Sequence, residues 1–365
     1  MMRLGMLTGI LCVGLGQIYA GDAAPAWEAL NLPEAAAGKA LLGVWFLPDG
    51  KHGWIVGEKG LCLATADGGT TWAEQKTGSG ATLRDVRFLD EKRGWAVGEG
   101  DPAGPQPRGH VVMMPGMQMK SATCLTTEDG GATWTNHWVP SNFQIWCVEP
   151  AAVPAVQIGN SGGEQHLDGD NFRSADGGKT FRSERVFRAV FDVRRVDGDK
   201  WALVGSPVSV GFMPTPTSPL YTNRGCRALF SADGGKSWQI SKGTETLKGR
   251  ACLRRMAFKA GQPLIAVGDK GAVATSADAG QTWKTVEAPL KQDLRGAAYA
   301  GGEGGACLAV GRKGAVLFSP DAGATWKAVP FEGEADLFAV AACGSDFVAV
   351  SGAGVALKLA AAKLP

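Results

Sequence analysis

Thr65-Ala-Asp-Gly-Gly-Thr-Thr-Trp72 recurs along this chain in five near-copies: Thr127-Glu-Asp-Gly-Gly-Ala-Thr-Trp134, Ser174-Ala-Asp-Gly-Gly-Lys-Thr-Phe181, Ser231-Ala-Asp-Gly-Gly-Lys-Ser-Trp238, Ser276-Ala-Asp-Ala-Gly-Gln-Thr-Trp283 and Ser319-Pro-Asp-Ala-Gly-Ala-Thr-Trp326. Self-similarity at a period of roughly 40–60 residues signals a repeat architecture. The Asp accepts backbone N–H groups within a turn, the Gly residues permit positive φ, and the Trp fills space between sheets. Asp67, Asp129, Asp176, Asp233, Asp278 and Asp321 are therefore read as structural residues. One carboxylate per turn is too few for a hard-cation cage, so no calcium role is assigned to them.

Between these phrases runs a longer template. Leu83-Arg-Asp-Val-Arg-Phe88 reads as an inner strand, Asp90 to Arg93 as a turn, and Gly94-Trp-Ala-Val-Gly98 as a second strand. A third strand runs into the repeated turn, and a fourth begins at its Trp. Four short antiparallel strands per unit make a propeller blade. The second-strand pattern appears seven times, at Trp54–Gly57, Trp95–Gly98, Val156–Gly159, Ala202–Gly205, Ile265–Gly268, Leu308–Gly311 and Val348–Ser351. The last unit lacks the turn phrase and a fourth strand, whereas Pro25-Ala-Trp-Glu-Ala-Leu30 matches the strand that follows the phrase elsewhere. The expected fold is all-β, a seven-bladed β-propeller with four-stranded antiparallel blades over residues 25–360. Its ring is closed by the N-terminal strand completing blade seven, which leaves no exposed sheet edge.

Residues 1–20 read as a secretory signal peptide: Arg3, an apolar run from Leu4 to Gly16, and a small-residue cleavage site at Ile18-Tyr19-Ala20. The run is too short to span a bilayer, and Leu11 before Cys12 does not suit a lipid anchor. An exported protein, periplasmic or lumenal, monomeric and soluble after cleavage, is expected. The net charge of +2 argues against nucleic acid or a polybasic membrane surface. Seven cysteines remain after the signal, an odd number, mostly in apolar strand segments, where they read as small buried hydrophobes. No Cys-x-x-Cys occurs, and no cofactor is expected.

Repeat proteins place insertions on one face, often the binding face. The second and third strands are joined by short turns in three blades: Glu58-Lys-Gly60, Asp269-Lys-Gly271 and Arg312-Lys-Gly314. Blades two, three and four instead carry insertions 99–121, 160–171 and 206–225, which should cluster on the face opposite the repeated turns. The starts of the inner strands ring the central channel beside them. Arg84, Arg188, Arg254 and Arg295 are placed there in one register, with Leu42, Gln144 and Phe338 in the other blades. Two readings stand: an anion-binding mouth for carboxylates or phosphates, or arginines paired locally, for example with Asp85 or Asp293, or packed between blades.

In the blade-two insertion, His110-Val-Val-Met-Met-Pro-Gly-Met-Gln-Met119 has the donors for Cu(I) but reads first as an adaptable apolar docking loop, with Met113, Met114 and Met117 as contacts. His166, Asp168 and Asp170 fit a polar loop as well as a metal site, and no metal is assigned. Phe212-Met-Pro-Thr-Pro216 reads as a stiff contact loop.

Each repeated phrase resembles the Asp box of sialidase-like propellers. Taken with Gly-Trp-x-Val-Gly and Leu-Arg-Asp-Val-x-Phe, the pattern from Trp27 to Leu359 resembles the photosystem II stability/assembly factor family. The resemblance implies an exported, seven-bladed, non-catalytic scaffold that grips a client protein segment through an arginine-lined face, onto which Arg84, Arg188, Arg254 and Arg295 map. The client would be an exported or membrane-protein segment, acidic in the specific form of the expectation. The alternative is an exported glycoside hydrolase of the sialidase-like class. That chemistry needs a Tyr–Glu pair, and of three Tyr only Tyr221 is free for it. A two-carboxylate glycosidase of the xyloglucan-cleaving propeller type usually needs two propellers forming a cleft.

Overall fold

The computed structural model describes residues 27–101, 122–139, 144–150, 156–160, 169–187, 189–206, 227–244, 247 and 251–365. The expected signal peptide, Arg188, the Met-rich segment with Met113, Met114 and Met117, Phe212 and Tyr221 lie outside these residues. So do His166 and Asp168, and most of the three insertions.

After β1 (Glu28–Ala29), blade one is β2 (Leu41–Phe46), β3 (Gly53–Gly57), β4 (Cys62–Thr65) and β5 (Ala73–Glu74). Blade two is β6 (Leu83–Phe88), β7 (Gly94–Gly98), β8 (Ala122–Thr127) and β9 (Thr135–Val139). Blade three is β10 (Ile145–Pro150), β11 (Val156–Asn160), β12 (Gly169–Ser174) and β13 (Arg182–Phe187), and blade four is β14 (Ala189–Asp197), β15 (Lys200–Ser206), β16 (Arg227–Ser231) and β17 (Gln239–Ile240). Blade five is β18 (Leu253–Ala257), β19 (Leu264–Gly268), β20 (Val273–Ser276) and β21 (Lys284–Val286). Blade six is β22 (Leu294–Tyr299), β23 (Cys307–Gly311), β24 (Val316–Ser319) and β25 (Lys327–Ala328). The chain ends in β26 (Leu337–Cys343), β27 (Asp346–Ser351) and β28 (Ala356–Leu359).

The expectation of seven like blades is corrected to six contiguous blades; the seventh second-strand pattern, Val348–Ser351, falls in a composite sheet built from both ends of the described chain. Six four-stranded antiparallel sheets are continuous chain segments; the remaining four-stranded sheet has the order β1-β28-β27-β26 and joins the two ends of the described chain. Glu28 opposes Lys358 and Ala29 opposes Leu357. The inner strands neighbour one another in chain order, and β26 lies against β2, closing the ring.

The fourth strands begin one residue later than the sequence suggested. Trp72 stays in the turn, its indole N–H donating to the Gly69 carbonyl at 3.1 Å, and β5 starts at Ala73. The ring packs edge-on against Phe46, the last residue of the blade's inner strand, at 5.9 Å. Trp134 meets Phe88 in the same way at 6.0 Å, and Trp326 shares a core cluster with Tyr299. Each aromatic pair fastens one blade's turn to the root of an inner strand. None of the described cysteines forms a disulfide, and all are buried; burial pushes the thiols of Cys62 and Cys124 up to about 12, which makes them inert packing groups at neutral pH.

In the first repeated turn Thr65 donates to the Asp67 carboxylate at 2.8 Å and accepts the Gly69 N–H at 3.0 Å. Thr71 donates to the same carboxylate from both its N–H, at 2.9 Å, and its hydroxyl, at 2.6 Å. Gly69 sits at φ +84°, where a side chain would be strained. The same bonds recur at Asp129, Asp176, Asp233, Asp278 and Asp321. Donation from Thr71 and Thr65 holds the Asp67 carboxyl at about 2, and equivalent donation from Thr133 and Ser237 does so at Asp129 and Asp233. The ordinary unfolded value is near 3.9. Folded values below unfolded ones mean a contribution that is complete above about pH 5 and lost as pH falls toward 2. The triple variant Asp67→Asn, Asp129→Asn, Asp233→Asn is therefore expected to flatten the acid limb of the stability curve. Urea midpoints recorded from pH 6 to pH 2 check this; an unchanged slope would count against the turn geometry.

Candidate functional site

Every inner strand carries a β-bulge at its second residue, or at its third in β14. The pairing register shifts between Leu41 and Gly43, Leu83 and Asp85, Ile145 and Cys147, Val190 and Asp192, Leu253 and Arg255, Leu294 and Gly296, and Leu337 and Ala339. A bulge re-aims its side chain and terminates regular pairing. Here it turns one residue per blade toward the channel mouth: Leu42, Arg84, Trp146, Phe191, Arg254, Arg295 and Phe338. All seven line one cavity of about 360 Å³, joined by Arg255, Arg312 and Asp336.

The bulge also explains the Val-Gly ending of the second strands. The carbonyl just before the inner strand accepts the N–H that follows this glycine: Ala40 from Glu58 at 3.0 Å, Thr82 from Glu99 at 2.9 Å, Cys252 from Asp269 at 2.9 Å and Asp293 from Arg312 at 2.8 Å. A Cβ on Gly57, Gly98, Gly268 or Gly311 would lie within 2.2 Å of that oxygen. Beyond the glycine, the second-to-third-strand connection leaves on the mouth face. The repeated turns lie on the other face, where Gly68 donates to Lys51 and Gly130 to Lys92 of first-to-second-strand turns.

Three of the four arginines placed at the mouth by sequence are described there, and each has a carboxylate beside it. Arg84 pairs with Glu99, not with its neighbour Asp85. Arg254 grips Asp269 through two bonds, at 2.8 and 3.0 Å. Arg295 lies 3.4 Å from Asp293, and its pKa is lowered by burial and by nearby Arg254. Arg312 reaches Asp336 at 3.4 Å. The guanidiniums also cover aromatic faces, Arg84 over Trp146 at 4.4 Å and Arg254 over Phe191 at 4.1 Å. The mouth is thus charge-balanced and aromatic, rather than a bare positive field.

The repeat register is corrected in blade three, where the mouth position is Trp146, not Gln144. In blade four Phe191 lines the mouth, and Arg188 lies outside the described residues. A usable signal was present: Asp192-Val193 in Val190-Phe-Asp-Val193 matches Asp85-Val86 in Leu83-Arg-Asp-Val86.

One layer deeper lies a cluster that the sequence reading missed. Asp85, Arg87, Glu149, Asp192, Arg194 and Arg255 come from blades two to five and are largely withdrawn from solvent. Arg194 bridges Asp192 at 2.8 Å and Glu149 at 3.3 Å, while Arg255 lies 3.5 Å from Asp85 and 3.7 Å from Asp192. Asp85 also accepts the Val148 N–H at 3.1 Å, and Asp192 the Met256 N–H at 2.7 Å. Burial raises the Glu149 pKa, whereas Asp85 is lowered by Arg87 and Arg255 against the opposing effect of burial. On the opposite face, Asp49, His52 and Glu91 could together hold a metal ion, but they are surface groups and His52 is already bonded to Asp49 at 2.6 Å.

These features define a class: a propeller of four-stranded blades whose mouth offers aromatic rings and braced guanidiniums as a contact surface. Among known proteins, a family model described as photosynthesis system II assembly factor YCF48 matches residues 20–102. The photosystem II assembly protein Ycf48 of Synechococcus sp. (strain JA-3-3Ab) is 24% identical over 286 residues, covering 71% of this chain and 78% of that protein. The chain thus resembles the photosystem II assembly-factor family. A solved structure titled "YCF48 bound to D1 peptide" superposes with a TM-score of 0.63 at 20% identity, covering 94% of this chain and 99% of that one. The GH74 xyloglucanase from Xanthomonas campestris superposes with a TM-score of 0.59 at 14% identity, covering 91% of this chain but 53% of the enzyme. These structural likenesses establish the propeller fold.

Proposed function

We propose that this chain is an exported, non-catalytic scaffold of the photosystem II assembly-factor type, which holds a segment of a membrane-protein client at the channel mouth. The observation that carries this reading is the bulge ring, which brings Trp146, Phe191 and Phe338 together with Arg84, Arg254 and Arg295 around one cavity. Aromatic and arginine side chains are the residue types that dominate binding hot spots. Local carboxylates and rings hold these guanidiniums in place, so little rotamer freedom is lost when a peptide docks. Residues 99–121, 160–171 and 206–225, with Arg188, Met113, Met114, Met117 and Phe212, would extend the same face. Balanced charge makes an aromatic or mixed segment a better fit than a purely acidic one. Binding of a D1 peptide by the structural neighbour supports a client of this kind.

The glycosidase alternative is less well supported. Asp85 and Asp192 are both tied to Arg255 and to backbone N–H groups inside the channel, and the Tyr299 hydroxyl donates to the Pro263 carbonyl at 2.7 Å. This chain covers only 53% of the matching xyloglucanase, so nearly half of that enzyme has no counterpart here.

Titrating a fluorescent D1 peptide into the purified chain tests the proposal. Trp146→Ala is expected to weaken binding by about 30-fold, from a loss of about 2 kcal/mol at a central aromatic anchor. Arg254→Ala is expected to weaken it about tenfold, while Asp321→Asn on the opposite face leaves it unchanged. No binding by the wild type, or equal binding by Trp146→Ala, would remove the mouth from the argument.

A further inference from the structure

Beneath the mouth the channel holds a second cavity, of about 210 Å³, which shares Arg255 and Arg295 with the first. Its walls differ. Blades two to five present Asp85, Arg87, Glu149, Arg194 and Arg255, whereas Gly296, Ala298, Ala339 and Ala341 line the side formed by blade six and the composite sheet. These small residues leave the space that the charged wall does not fill.

The charged wall is unevenly satisfied. Asp85, Glu149 and Asp192 match Arg87, Arg194 and Arg255 in number, yet the carboxylates are engaged mainly by Arg194, Arg255 and backbone N–H groups. Arg87 is left over. Its Nε lies 3.7 Å from Asp85, beyond hydrogen-bond distance, and is buried without a hydrogen-bond partner among the described residues. The guanidinium rests on the Trp45 ring at 4.2 Å. Burial and the charge of Arg194 lower the Arg87 pKa, against the raising effect of Asp85, Glu149 and Asp192. A guanidinium N–H withdrawn from water and left without an acceptor is costly unless something else supplies one. The cavity has room for roughly seven waters. A carboxylate supplies two coplanar acceptors that match the guanidinium fork.

We propose that this inner cavity is a binding site for one small carboxylate, held by Arg87 above the Trp45 ring. The site lies below the peptide-docking mouth, and it stands even if the mouth binds nothing. A free organic acid and the terminal carboxylate of a chain threaded through the mouth offer the same chemistry.

The test uses the full chain with sodium acetate as probe, against sodium chloride at equal ionic strength. Acetate is expected to raise Tm saturably above the chloride control. Two variants attack the site from opposite walls: Arg87→Gln removes the guanidinium, and Ala298→Leu fills the space while keeping it. Each is first confirmed to unfold cooperatively, and each is expected to abolish the acetate-specific shift. A short peptide with a free C-terminus that displaces ¹³C-acetate, where its C-terminal amide does not, would assign the site to a chain terminus; retention of acetate against both would assign it to a free acid. No acetate-specific shift in the wild type, or a shift retained in both variants, overturns the proposal and leaves a water-filled channel.

Discussion

Asp192→Ala is expected to destabilise the folded chain by about 3–5 kcal/mol. Total stabilities of domains are typically about 5–15 kcal/mol, so much of the folded population would be at risk. Asp192 is fully buried and does several jobs at once. One oxygen accepts the Met256 N–H at 2.7 Å; the other accepts the Val193 N–H at 3.0 Å and pairs with Arg194 at 2.8 Å. Removing the carboxylate leaves Glu149 as the one carboxylate in ion-pair range of Arg194 and takes one of two such partners from Arg255. It also frees a backbone N–H that ties blade four to blade five. Breaking one side of a buried pair costs more than the pair contributes, because the surviving charge stays desolvated. Denaturant unfolding with far-UV detection measures the effect. A loss below about 1 kcal/mol, the range of surface ion pairs, would mean that water reaches the channel cluster freely.

The second large effect is expected at Gly268→Ala, about 3 kcal/mol, at the upper end of ordinary overpacking. Gly268 has an extended backbone that any residue can adopt, at φ −173°, so the cost is one of contact, not conformation. An added Cβ would lie 1.9 Å from the Cys252 carbonyl oxygen and 2.8 Å from the Leu253 Cα, both backbone atoms held by the bulge. To relieve the contact, β19 must move away from β18, which weakens the Asp269 N–H bond to that carbonyl and shifts the carboxylate that braces Arg254. Peptide binding at the mouth should therefore weaken along with stability. Gly261→Ala is the control. It has φ +78° with open space around it, and should cost only the roughly 1–2 kcal/mol of a left-handed backbone while leaving binding intact. Equal losses in the two variants, measured by urea midpoint, would contradict the close approach.

Legibility in the sequence followed the range of the interactions. The repeated turn was readable because its bonds span two to four residues, from Thr65 through Asp67 to Trp72. Pairing of the chain ends was readable too, since Trp27-Glu28-Ala29 repeats the pattern of Trp283-Lys284-Thr285 in the strand that follows each turn. The register of the mouth was half readable. Arg84, Arg254 and Arg295 were found by matching arginine to arginine, but that rule favoured Arg188 over Phe191 and gave no reason to single out Trp146. Matching the Asp-Val pair behind the bulge identifies Phe191.

The sequence by itself determined the four-stranded blade pattern and the pairing of β1 with β28, because these rest on local hydrogen bonding and on apolar periodicity. Only the tertiary structure decided the electrostatics. Arg255 and Asp85 are 170 residues apart and meet at 3.5 Å because the ring brings blades two and five to one axis. Whether an arginine is braced by a carboxylate, stacked on a ring or left unsatisfied, as Arg84, Arg254 and Arg87 respectively illustrate in part, depends on which blades converge. Charge compensation is a property of that convergence, and the order of residues along the chain does not contain it.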